Sequence, residues 1–206
     1  MPELRNFHRV LSGLDVRPLL KQIYVEGARD PKFWTKDQSW TGADRETVLS
    51  GHENVVLNEP RKITAFNPHP EQYAFTLLSE AAPIIEKLMT AVKGVQLGRV
   101  MISRMEPGEC VEPHADVTMM TEHMSPFMPN YDPTKIKRTP VPPVYQRYQI
   151  PIHGDDARFF CGEEELVMRP GEAWWFANTL SHHVENGIGV RIALIADIRS
   201  LRLMPR

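Results

Sequence analysis

His114 and Asp116 are the first residues whose types and spacing suggest chemistry. Because residues two apart on a β-strand point to the same side, this imidazole and this carboxylate can bind one metal ion together. Eight histidines and 26 acidic residues among 206 positions give about one His-x-Asp/Glu motif by chance, and the chain has four. Two of the others stand at a predicted helix start and across a Gly-Asp turn. The sequence therefore favours His114 and Asp116 as the metal ligands.

A third ligand has to come from a distant part of the chain, and the adjacent His182 and His183 are the candidates. Neighbouring residues on a strand face opposite ways, so only one of the two can reach the metal. Parity relative to Arg191 favours His183, but Gly187 and Gly189 are expected to break the strand between them. Two histidines and one carboxylate leave coordination positions open, which suits Fe(II) with oxygen and a co-substrate.

Two arginines stand on predicted strand faces that point inward. Arg191 begins an alternation that puts Asp197 on its own side of the strand, and a buried arginine needs an anion. The structural alternative for Arg191 is an ion pair with Asp197 or another acid. Arg147 and Gln149 share one face of a second strand. Together these side chains are typical of a pocket for a small dicarboxylate.

Hydrophobic periodicity predicts a mainly β protein with flanking helices, arranged as a sandwich or barrel. The clearest helix is predicted over residues 70–93, ending at Gly94, and a weaker one begins near Leu14. Short strands separated by turn residues are predicted at 95–105, 111–117, 147–153, 157–160, 165–168, 173–177, 181–185 and 190–198. Residues 117–146, rich in methionine and proline, interrupt them. We expect a lid there, and the alternative is a peripheral excursion on the surface.

The composition is that of an ordinary globular protein. Hydrophobic residues make up 42% and charged residues 24%, and the net charge is −2. No basic field predicts a nucleic-acid or membrane partner, and no apolar run is long enough for a membrane span. Cys110 and Cys161 are expected to be free thiols rather than metal ligands. The N-terminus lacks a signal-peptide pattern, so we expect a soluble, cytoplasmic protein of unknown oligomeric state.

The motifs between residues 95 and 199 resemble the Fe(II)/2-oxoglutarate oxygenases of the aspartyl/asparaginyl β-hydroxylase type. The matching residues are Ser103, Pro107, Gly108, Val111, Pro113, His114, Arg147, Gln149, Pro170, Gly171, Glu172, His182, Val184, Asn186, Arg191 and Asp197. The resemblance implies a double-stranded β-helix, a jelly-roll or cupin-like barrel. Residues 95–206 would form this core with its lid loop 117–146, and residues 1–94 a helical or irregular segment packing on it.

The resemblance also implies roles for individual residues. The iron ligands would be His114, Asp116 and His182. The distal carboxylate of 2-oxoglutarate would bind Arg191 and Ser103, and the keto end would lie near Arg147 and Gln149. Candidate substrate or shielding contacts are Met105, Trp174 and, in the lid, His123, although Trp174 can equally be an ordinary buried aromatic residue.

The implied reaction is hydroxylation of a C–H bond with O2, releasing succinate and CO2. The substrate would be an amino acid, a peptide or another small molecule. One alternative is a metal-binding cupin that is not an oxygenase, an isomerase or binding protein, but cupins carry His-x-His followed by Glu. Another is a module that has lost its iron, which the complete set of ligands and arginines argues against.

Overall fold

The computed structural model describes residues 4–30, 33–36, 52–58, 78–116, 118–121, 138–141 and 146–200. Its helices are α1 (Arg17–Arg29) and α2 (Ala82–Val92), the latter preceded by a 3-10 turn at Ser79–Ala81. The strands are β1 (Phe7–Leu11), β2 (Thr35–Lys36), β3 (His52–Asn58), β4 (Gly94–Met105), β5 (Cys110–His114), β6 (Thr118–Thr121), β7 (Arg138–Val141), β8 (Gln146–His153), β9 (Arg158–Cys161), β10 (Glu164–Val167), β11 (Ala173–Phe176), β12 (His182–Glu185) and β13 (Arg191–Ser200).

The strands form two facing antiparallel sheets and a separate hairpin. The larger sheet has the order β1-β11-β8-β13-β4-β3-β2, and the smaller sheet has the order β10-β9-β12-β5. Apolar side chains from both sheets meet between them, among them Met105 and Phe176 from the larger sheet and Phe159 and Val184 from the smaller one. Strands β6 and β7 pair only with each other among the described strands. The architecture is the predicted double-stranded β-helix.

The two faces of strand β13 lie in different environments. Ile192, Leu194, Ala196 and Ile198 point out of the barrel into a second core, which they share with α1 and α2. Helix α1 contributes Leu19 and Ile23, and α2 contributes Ile84, Ile85, Leu88 and Val92. The intervening residues of β13, beginning with the buried Arg191, face the barrel interior. The predicted alternation along this strand is therefore confirmed.

The end of helix α2 is set by backbone conformation and by a close approach. Lys93 adopts a left-handed conformation with φ 53°, which stops the helix. A Cβ atom on the next residue, Gly94, would lie 2.6 Å from Met89 Sδ and 2.7 Å from Ile198 Cγ2. Gly94 thus leaves room for the Met89 and Ile198 side chains where α2 packs against the sheet, which adds to the helix stop that the sequence indicates.

All eight predicted strand segments overlap observed strands. The helix predicted over 70–93 occupies Ala82–Val92 in the structure, and its predicted beginning, 70–77, lies outside the described residues. The N-terminal 94 residues, expected to be helical or irregular, also supply β1 and β3 to the larger sheet. Neither helix described here is long and apolar enough to cross a membrane.

The packing of α2 against the sheet predicts the effect of a cavity. Leu88 is fully buried in this core. Leu88→Ala should therefore lower the free energy of unfolding by about 2–5 kcal/mol, measured by denaturant titration. Ile188→Ala, at a side chain that is 93% exposed, is the control and should change stability by less than about 0.5 kcal/mol. Equal losses for the two variants would contradict the placement of α2.

Candidate metal and cosubstrate site

His114 and Asp116 meet His182, which is remote from them in sequence. His114 ends β5, Asp116 follows two residues later, and His182 begins β12. Strands β5 and β12 pair antiparallel with His182 opposite His114, and the candidate ligand atoms of all three residues lie within 4.8 Å of one another. Asp116 and His182 are buried. This is the geometry of a two-histidine, one-carboxylate metal site.

Backbone carbonyls orient both imidazoles. The carbonyl of Glu112 lies 2.8 Å from Nδ1 of His114, and the carbonyl of Leu180 lies 2.9 Å from Nδ1 of His182. A carbonyl can only accept, so we assign the ring proton to Nδ1 in each case, which leaves Nε2 with its lone pair free for a metal. Burial lowers the pKa of His182 to about 4, against the opposing effect of its bond to Leu180. His182 is therefore neutral at neutral pH, the form that binds metals.

Asp116 presents one satisfied and one unsatisfied oxygen. Its Oδ2 forms an ion pair with Arg147 Nη1 at 2.7 Å and accepts a hydrogen bond from Asn178 Nδ2 at 3.3 Å. Its Oδ1 is buried and has no hydrogen-bond partner among the described residues. A buried carboxylate oxygen without a partner is costly, and a cation satisfies it. The site therefore fits a divalent metal, and its nitrogen and oxygen donors fit Fe(II).

His183 points to the opposite side of the smaller sheet. Its ring stacks on Phe160 with a centroid distance of 4.3 Å and an interplanar angle of 5°. His182 instead packs against Phe176, with 4.9 Å between ring centroids, in the barrel interior. Of the two adjacent histidines, the structure brings only His182 to His114 and Asp116.

Arg191 is a buried charge without a counter-ion in the described part of the chain. It is 4% exposed, and its guanidinium donates from Nη1 to Met105 Sδ at 3.6 Å. Burial lowers the pKa of Arg191 to about 10, which still leaves the side chain charged at neutral pH. Asp197, considered from sequence as its partner, binds Arg147 instead. An anionic ligand bound beside Arg191 would compensate its charge.

The cavity beside Arg191 lies between the two sheets. Its other lining residues are Pro151, Gly154, Ala157, Phe159, Met168 and Val184. Gly154 has a φ of 84°, and a Cβ there would lie 2.9 Å from the carbonyl oxygen of Val190, so the turn after β8 can approach Arg191 only with glycine. Ser103 is buried on β4 opposite Ala193, on the same face as Arg191.

Arg147 has two carboxylate partners. Its Nε and Nη2 donate to Asp197 Oδ1 and Oδ2 at 2.7 and 2.9 Å, and its Nη1 contacts Asp116. Burial alone would lower the pKa of Arg147, but the attraction of Asp197 and Asp116 outweighs it and raises that pKa. Gln149 is buried two residues further along β8, opposite Trp174 of β11.

The residues predicted to contact or shield the substrate, Met105, Trp174 and His123, differ in their surroundings. Met105 is fully buried, and its sulfur accepts the contact from Arg191. Trp174 is mostly buried, donates from Nε1 to Glu172 at 2.9 Å, and lies under the guanidinium of Arg9. His123 lies outside the described residues. Sequence reasoning missed Asn178, because only the fold shows that it reaches Asp116.

The chain was also compared with known proteins. The family model described as Aspartyl/Asparaginyl beta-hydroxylase matches residues 65–200, more than half of the chain. The chain belongs to the aspartyl/asparaginyl β-hydroxylase family. This family member is therefore an Fe(II)- and 2-oxoglutarate-dependent hydroxylase that uses O2. None of the curated proteins matches its sequence.

Solved structures similar to this hydroxylase share its barrel. A prolyl-4-hydroxylase from Pseudomonas putida is 11% identical, with a TM-score of 0.55 over 96% of this chain and 94% of that one. A Trichoplax adhaerens prolyl hydroxylase, solved with a hypoxia inducible factor peptide fragment, is 10% identical, with a TM-score of 0.54 over 95% and 84%. A Burkholderia pseudomallei oxidoreductase of the 2OG-Fe(II) oxygenase family is 11% identical, with a TM-score of 0.54 over 96% and 89%. At these identities the likeness shows a common fold.

The two thiols should differ in reactivity. Cys161 is buried beside His182, and burial raises the pKa of its thiol to about 11, whereas Cys110 is half-buried near the surface. Thiol titration of the native protein with Ellman's reagent should therefore detect one thiol, and the second only after unfolding. Cys110→Ser should abolish the native signal. Rapid reaction of both thiols would contradict the enclosed interior around His182.

Proposed function

We propose that His114, Asp116 and His182 hold the Fe(II) of this hydroxylase through the two Nε2 atoms and Asp116 Oδ1. The observation that carries this proposal is the buried, unpartnered Oδ1 of Asp116, in a carboxylate whose other oxygen lies 3.8 Å from Nε2 of His182, beside two imidazoles whose Nδ1 atoms are already bonded. Bound there with 2-oxoglutarate and O2, iron supplies the oxidising chemistry that converts a substrate C–H to C–OH and yields succinate and CO2.

The cosubstrate would lie with its distal carboxylate on Arg191. This assignment is supported by the burial of Arg191 without a counter-ion among the described residues, and by Ser103 on the same face. A carboxylate arriving there removes the cost of the uncompensated charge. The keto end would lie near Gln149 and Arg147. Arg147 has five N–H groups and uses three of them on Asp116 and Asp197, so it retains donors for a ligand.

Apolar and aromatic side chains around the ligands would exclude water during the reaction. Phe176 and Phe159 lie with ring centroids 4.9 and 6.2 Å from that of His182, and Trp174 lies in the same apolar cluster. A dry site strengthens the electrostatic contacts of Arg191 and limits side reactions.

The substrate would be an amino-acid unit, either free or within a peptide. The family description names aspartyl and asparaginyl residues, and two of the similar structures are prolyl hydroxylases. The lid role of 117–146 is supported by β6, which begins two residues after Asp116. This proposal also includes a division of the chain into residues 1–94 and 95–206, action on Asp or Asn, and a cytoplasmic location.

The substrate class can be tested by measuring succinate release with Asp, Asn and Pro, each supplied free and within peptides.

The adjacent histidines offer a matched test of the metal site. Anaerobic addition of Fe(II) and then 2-oxoglutarate to metal-free protein should produce a weak visible charge-transfer band that requires both. His182→Ala should abolish the band, because it removes a ligand. His183→Ala should retain it, because His183 faces the outer side of the sheet. Equal bands in both variants would argue against His182 as a ligand.

Arg191 should control 2-oxoglutarate affinity. Charge-assisted hydrogen bonds contribute about 1.5–3 kcal/mol, so Arg191→Met should raise the Kd for 2-oxoglutarate roughly 10- to 150-fold, measured by titrating the band. Arg158→Met is the control, because the Arg158 side chain is 51% exposed and should leave the Kd unchanged. An unchanged Kd in Arg191→Met would exclude Arg191 as the carboxylate anchor.

A further inference from the structure

Asp197 belongs to a chain of mostly enclosed charges that leads to the metal site. Its two oxygens accept hydrogen bonds from Nε and Nη2 of Arg147 at 2.7 and 2.9 Å. Both side chains are only 15% exposed. A bidentate pair of this kind fixes the plane of the guanidinium as well as its position. The direction in which Arg147 presents its third nitrogen is therefore set by Asp197.

That third nitrogen, Nη1, contacts Oδ2 of Asp116 at 2.7 Å. Asn178 holds the same oxygen from a second side, and the Asp116 N–H donates to the Asn178 carbonyl at 2.8 Å. Oδ2 thus has two partners and also lies 3.8 Å from Nε2 of His182, whereas Oδ1 has no hydrogen-bond partner among the described residues. The arrangement leaves Oδ1 as the oxygen whose lone pairs are free for a metal.

Charge balance gives Asp197 a second effect. Two carboxylates around one guanidinium leave one negative charge next to the metal site. Without Asp197, the charge of Arg147 would cancel that of Asp116 and weaken its attraction for a divalent cation. The released guanidinium could also turn and bind both oxygens of Asp116. Both effects lower metal affinity.

We propose that Asp197 is a positioning residue of the metal site, which acts through Arg147 to keep Asp116 a ligand with one free oxygen. This inference rests on the metal site proposed above. It gives Asp197 a role although the residue contacts none of the three ligands in the described contacts.

The test is a titration of metal-free protein with Co(II), followed by visible absorption. Asp197→Asn should weaken Co(II) binding about 10- to 100-fold, the effect typical of groups that hold metal ligands. Asp155→Asn, at an exposed position after β8, removes the same charge and should bind Co(II) like the parent. Asp197→Glu keeps the charge but displaces the carboxylate, so it should also weaken Co(II) binding. It serves as the test variant if Asp197→Asn does not fold.

A double-mutant cycle separates action through Arg147 from a general effect. If Asp197 acts through Arg147, Asp197→Asn should lower the Co(II) affinity less in an Arg147→Met background than in the parent protein. A purely structural role would lower the melting temperature and leave the Co(II) affinity unchanged. Parent-like affinity in folded Asp197→Asn or Asp197→Glu would overturn the inference, while loss of binding in His182→Ala would leave the proposed function standing. A parent protein that binds no Co(II) or Fe(II) would overturn both.

Discussion

The antiparallel pairing of β5 with β12 is the constraint on which the site depends. His114 and His182 are far apart in the sequence, and this pairing makes them direct neighbours. The backbone of Asp116 is then tied to Asn178, just ahead of β12, by a hydrogen bond of 2.8 Å. The backbone carbonyls of the same two segments orient the imidazoles. The geometry of the ligand set is therefore largely a property of the backbone.

The two arginines of the barrel interior differ in their counter-ions. Arg147 has two carboxylate partners, whereas Arg191 is buried against a thioether and has no carboxylate partner among the described residues. A charge that is already paired suits a permanent structural task, and an uncompensated one suits a ligand that arrives and leaves.

Local sequence patterns predicted much of the fold. Alternation marked β13, and turn residues separated eight strands that the structure confirms. Edge strand β1 was missed because its Phe7–Leu11 segment carries exposed His8 and Arg9 and lacks a clear alternation. The partner of Arg147 also could not be predicted, since it depends on the register between β8 and β13, which places Asp197 opposite Arg147. Such pairing across strands leaves no mark in local periodicity.

The neighbouring histidines of β12 have a consequence for strand register. If β12 slipped by one residue, His183 would replace His182 beside Asp116, and a histidine would still face the interior. The same slip would move Val184 to the outer surface and place Glu185 in the apolar interior, exchanging a buried aliphatic side chain for a carboxylate. Val184 and Glu185 therefore disfavour the shifted register of β12, whereas the two adjacent histidines alone would fit either register.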